Sequence, residues 1–82
     1  MAHYRGVTGL GAWGEMHVAP ARRGYAGLAP LEEGLSNVAF VTASTAVANR
    51  PGSLEAFFAE SLSSIPAVAS RLAGAERVGA IR

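Results

Sequence analysis

One three-residue segment constrains this chain more than any other. Glu32-Glu33-Gly34 stands between Leu31 and Leu35, with strand-forming residues on both sides. Three residues ending in glycine suit a type I turn followed by a left-handed position, which glycine adopts without steric penalty. Such a loop sets a register. Leu31 pairs with Leu35, so Ala29 faces Asn37, Leu28 faces Val38, Gly27 faces Ala39, Ala26 faces Phe40 and Tyr25 faces Val41. Strands over 24–30 and 36–42 follow, the latter rich in β-formers at Val38, Phe40 and Val41.

A further strand is expected over 13–18, joined to the next by the turn Ala19-Pro20-Ala21-Arg22-Arg23. A five-residue loop there pairs Val18 with Gly24 and places Met16 beside Ala26 and His17 beside Tyr25. Alternation along strands then defines two faces. Met16, Val18, Leu28, Val38 and Phe40 form the expected core face. The other face carries Trp13, Glu15, His17, Tyr25, Asn37 and Val41 around a floor of Gly27, Ala29 and Ala39. A one-residue error in that loop would turn the whole first strand over.

The second half changes period. The link 43–52 is small and polar and ends in the turn signal Arg50-Pro51-Gly52. Ser53 is placed to cap a helix reaching about Ser64, with Leu54, Phe57, Phe58, Ser61, Leu62 and Ile65 on one face. Pro66 interrupts, and a shorter helix through Val68 and Leu72 ends near Gly74. Residues 76–82 read as a final strand. The expected fold is α+β: one small domain over 1–82, with an antiparallel sheet of three to four strands (13–42 and 76–82) and helices (53–73) on one face.

Composition narrows the function. Half the residues are apolar, but 17 residues are alanine, so the core is thin. Cysteine is absent, which excludes disulfides and thiolate metal sites. Seven arginines and six glutamates, in no run of one sign, give no nucleic-acid surface or polybasic anchor. No apolar stretch is long enough to span a membrane and no leader pattern opens the sequence, so a cytoplasmic location is expected.

Few motifs carry chemistry. His3 and His17 match no metal-ligand spacing. No Gly-x-Ser-x-Gly elbow occurs. Gly9-Leu10-Gly11-Ala12-Trp13-Gly14 fits the dinucleotide fingerprint as a string, but that motif must open a helix, and a strand is expected next. It reads as a loop. His17 beside Glu15 and Tyr25 is either an acid–base group or a half-exposed strand histidine. The small-residue floor framed by Tyr25, His17, Asn37 and Trp13 has the makeup of a ligand wall or of a surface for a close-packing partner.

The run Gly14-Glu15-Met16-His17-Val18, then Gly24-Tyr25-Ala26-Gly27-Leu28-Ala29-Pro30, then Asn37-Val38-Ala39, resembles the substrate domain of FAD-dependent monooxygenases and geranylgeranyl-reductase-like oxidoreductases. Their fold is that of p-hydroxybenzoate hydroxylase. His3-Tyr4-Arg5-Gly6-Val7 resembles the strand end that leads into that stretch, and the helical part, Leu54 to Leu72, and Arg77-Val78-Gly79 also look like the family, so the resemblance covers nearly the whole chain. Tyr25 and Pro30 match a Tyr-x-Trp-x-Phe-Pro substrate pattern of the reductases. Gly27 and Ala29 replace its Trp and Phe, which favours the wider hydroxylase-like group.

The resemblance implies the substrate-binding segment of an FAD-dependent oxidoreductase of monooxygenase type. NAD(P)H would be the reductant and a small apolar or aromatic molecule the substrate. Tyr25, His17 and Asn37 would form the pocket wall, with Gly27 and Pro30 beside them. The family's flavin-gripping motifs are absent from this sequence, so no cofactor is expected to bind it alone, and the segment would be inactive without an FAD domain. The alternative from the residues themselves is a non-catalytic α+β module that docks a partner or forms a homodimer through the small-residue face.

Overall fold

A computed structural model describes residues 1–20, 23–50 and 52–81. Parts of two expected turns, Ala21-Arg22 and Pro51, lie outside the described residues, as does Arg82. In chain order the elements are β1 (Ala2–Arg5), β2 (Glu15–Ala19), β3 (Gly24–Pro30), β4 (Leu35–Val41), α1 (Ser44–Ala48), α2 (Leu54–Ser63), α3 (Pro66–Leu72) and β5 (Glu76–Val78). The fold is α+β, as expected. The sheet has five strands in the order β2-β3-β4-β1-β5, and every pairing is antiparallel.

The β3–β4 register is the one the hairpin loop dictates, from Tyr25 opposite Val41 to Ala29 opposite Asn37. Leu31 N–H donates to the Leu35 carbonyl at 2.7 Å and closes the loop. Its interior differs from a type I turn. Glu33 as well as Gly34 is left-handed, at φ 61° and 75°. Arg5 Nη1 donates to the Glu33 carbonyl at 3.3 Å and helps hold that strained residue.

The β2–β3 register departs from expectation. Ala19 pairs with Gly24, Met16 with Gly27 and His17 with Ala26. The connection therefore holds four residues, and β2 is turned over relative to the five-residue reading. Met16 and Val18 are not core. They are 68% and 69% exposed on the face away from the helices. Glu15, His17 and Ala19 face the helical layer instead, where Ala19 is buried. Beyond the loop length, the physical reason is a partner for Glu15 that lies on α3.

Two features of the fold carry no periodic signal in the sequence, the place of β1 and the helix α1. β1 pairs with both β4 and β5, so it sits inside the sheet rather than leading into it. α1 forms within the link that reads as small and polar. The final strand is also shorter than expected, ending at Val78.

The helices behave as the periodicity predicts. The Ser53 hydroxyl accepts from Ala56 N–H at 3.0 Å, satisfying one of the orphan donors at the start of α2. α3 begins at Pro66, where a missing N–H costs nothing. Phe58, Leu62, Ile65 and Val68 close over Ala2, Ala26, Leu28 and Val38 to make one buried cluster. Phe40 meets Phe57 edge to face, with ring centroids 6.3 Å apart. α2 and α3 cover one face of the sheet, and no helix among the described residues is long and apolar enough to cross a membrane.

Candidate functional site

The uncovered face is organised in rows that cross the strands. Val18, Tyr25 and Val41 form a bulky row. Met16, Gly27 and Ala39 form the next, where bulk falls away to almost nothing. Ala29, Asn37, His3 and Val78 form a third, which is polar in its middle. A Cβ added at Gly27 would meet no atom within 4 Å, so the middle of the face is hollow. Trp13, 98% exposed, lines one shallow niche with Met16, Gly27 and Ala29.

One polar atom on this face is unsatisfied. Asn37 Oδ1 is enclosed and has no hydrogen-bond partner among the described residues. An enclosed acceptor without a donor is costly, and a donor brought by a ligand or a covering layer would relieve it.

Of the expected wall residues, Tyr25, Asn37 and Gly27 share this face. His17 does not. The inverted β2 carries it to the helical side, opposite Ala26. Pro30 ends β3 opposite Ser36, on the alternate face from Tyr25. Met16 and Val18 join the open face in their place, and the only sequence signal for this was the length of the first loop.

His17 belongs to a second cluster at the sheet edge. Its Nε2 lies 2.9 Å from Glu15 Oε1. Arg71 on α3 donates to both oxygens of the same carboxylate, Nε to Oε1 at 3.1 Å and Nη2 to Oε2 at 2.7 Å. The bonds from Arg71, then that from His17, hold the Glu15 carboxyl down at about 2 from an ordinary 4.5. The loop 6–14 packs over the guanidinium. Thr8 N–H donates to the Arg71 carbonyl at 3.0 Å, and a side chain at Gly9 would run into Arg71. A carboxylate with both oxygens so engaged is a poor proton acceptor, and the cluster works as a clasp between β2 and α3.

The fingerprint-like glycines lie in that loop. A strand precedes them and a strand follows, and no helix opens at Gly14. They lack the helix N-terminus that a dinucleotide phosphate requires. No group of three or more His, Asp or Glu side chains that could hold a metal ion occurs among the described residues.

The architecture is thus a two-layer α+β domain with one bare sheet face. No family model, no curated protein and no solved structure matches this chain.

Proposed function

We propose that this chain is the substrate-side layer of an FAD-dependent oxidoreductase of the monooxygenase type. The observation that supports this reading is the open face: a hollow at Gly27 and Ala39, flanked by Tyr25 and Met16, with the unpaired Asn37 acceptor at its side. Apolar floors with a few placed polar groups are what small-molecule pockets offer. The resemblance of the 14–18, 24–30 and 37–39 segments to the substrate domain of these enzymes gives that floor its role. The flavin, reduced by NAD(P)H and held by an FAD-binding layer, would supply the oxygen chemistry. This chain would shape and dry one wall of the pocket. Tyr25, Asn37 and Gly27 contact substrate in this reading, and His17 and Pro30 do not.

The test is ligand mapping on the chain itself. A panel of small aromatic acids, phenols and short isoprenoids is titrated while backbone amide shifts are recorded. Shifts confined to Tyr25, Gly27, Asn37 and Ala39, and lost in Gly27→Trp, are expected. No response at these residues to any member of the panel, with the chain dilute enough to be monomeric, would overturn the reading. Free FAD should leave the spectrum unchanged, and stable flavin binding by this chain alone would contradict the division of labour.

A further inference from the structure

We propose that the open face is self-complementary and that this chain, on its own, forms a homodimer in which two copies pack sheet to sheet through it. Trp13, Met16, Val18, Tyr25 and Val41 are all exposed in one continuous region. Together they expose on the order of 600 Å² of apolar side chain, at the upper end of what a monomer leaves bare. That is most of the roughly 800 Å² per partner that a standard interface covers.

Shape favours a second copy over an unrelated partner. A two-fold interface needs one patch that carries both projections and the recesses to receive them. This face has both, in adjacent rows. Val18, Tyr25 and Val41 project, and Gly27 and Ala39 recede beside them. Turned about a two-fold axis, the ridge of each copy lies over the hollow of the other. Charge does not oppose the contact. The β2–β4 part of the face bears no arginine or glutamate, because the inversion of β2 sends Glu15 to the helical side. Among the described residues, His3, Arg5 and Glu76 lie toward β1 and β5 and Arg23 lies in the β2–β3 turn, so these ionisable groups would fall at the rim.

The inference rests on the functional reading only in sharing its face, and it adds a consequence. Self-association and ligand or flavin-layer binding become mutually exclusive, so dimerisation holds the wall closed until a better partner displaces the second copy.

Sedimentation velocity over a concentration series is the test. A species of twice 8.4 kDa is expected. Trp13 is the sole tryptophan, and its emission should move to the blue as the dimer forms. Met16→Glu and Val18→Lys alter exposed side chains, so both should keep the native far-UV dichroism. Each should weaken the dimer on the order of a hundredfold, because a charge would be buried unpaired. Mixed together they should recover part of the association. A folded monomer at high micromolar concentration would overturn the proposal. So would a dimer indifferent to both substitutions, or open-ended growth without a dimer limit. A wild-type dimer that, once diluted to monomer, binds no member of the ligand panel would instead count against the functional reading and leave this one standing.

Discussion

Arg71 holds Glu15 across 56 positions of sequence, with two nitrogens on two oxygens at 3.1 and 2.7 Å. The pair ties the edge strand β2 to α3 and helps decide which side of β2 faces the helices. Paired edges of this kind gain from planar geometry that lysine does not reproduce. Arg71→Ala is expected to lower the melting temperature by a few degrees and to speed amide exchange along 15–19. Arg71→Lys should recover only part of the loss. Unchanged exchange in β2 would mean that the strand is held by its backbone pairing alone.

The same pair predicts an acid-sensitive stability. The Glu15 carboxyl titrates at about 2 when folded and near 4.5 when free. Its pKa is depressed on folding, so its contribution is fully present above about pH 4.5 and is lost as pH falls toward 2. Denaturant midpoints measured down that range should fall more steeply for the wild type than for Glu15→Gln. Parallel curves would show that other carboxyls govern the acid limb.

Two glycines should respond in opposite ways to alanine. Gly14 sits at φ 78°, and a Cβ there would lie 2.5 Å from the Leu28 carbonyl oxygen. Gly14→Ala is expected to cost about 2 kcal/mol or more, since both the backbone and its neighbour resist. Gly27 has open space above it. Gly27→Ala should be neutral or stabilise by up to about 1 kcal/mol through the unfolded chain. Thermal unfolding of the two variants side by side makes the comparison.

At the start of α2, Ser53→Ala removes the acceptor for Ala56 N–H. A loss of about 1 kcal/mol is expected, and Ser53→Asp should retain most of the stability because a carboxylate also suits the helix N-terminus. Equal losses in both variants would argue against the cap.

What could be read in the sequence was what local chemistry decides. Gly34 sets one hairpin, and with it the shared face of Tyr25, Gly27 and Asn37. Ser53 and Pro66 mark where α2 and α3 begin. The first hairpin was misread because Met16 and Val18 alternate as core residues do, whereas the partner that draws Glu15 inward lies on α3. No local pattern carries a preference formed across such a separation. The place of β1 inside the sheet leaves no periodic signature for a related reason. His3-Tyr4-Arg5 has no apolar alternation, and the strand is held by neighbours on both sides, β4 and β5. The shared face of Gly27, Ala29 and Ala39 was therefore legible, whereas His17 was assigned to the wrong side of the sheet.

The strand order has a consequence for the timing of folding. His3 pairs with Val78, so one flank of β1 has no partner until nearly all of the described sequence has been synthesised. A nascent chain can assemble β2, β3 and β4 by short hairpins and then recruit β1 to β4, but it must hold an open edge at β1 meanwhile. Such long-range closure is slow, and exposed edges invite pairing with other chains. The three-residue β5 covers that flank late and itself becomes the sheet's outer strand, so a longer open edge gives way to a shorter one.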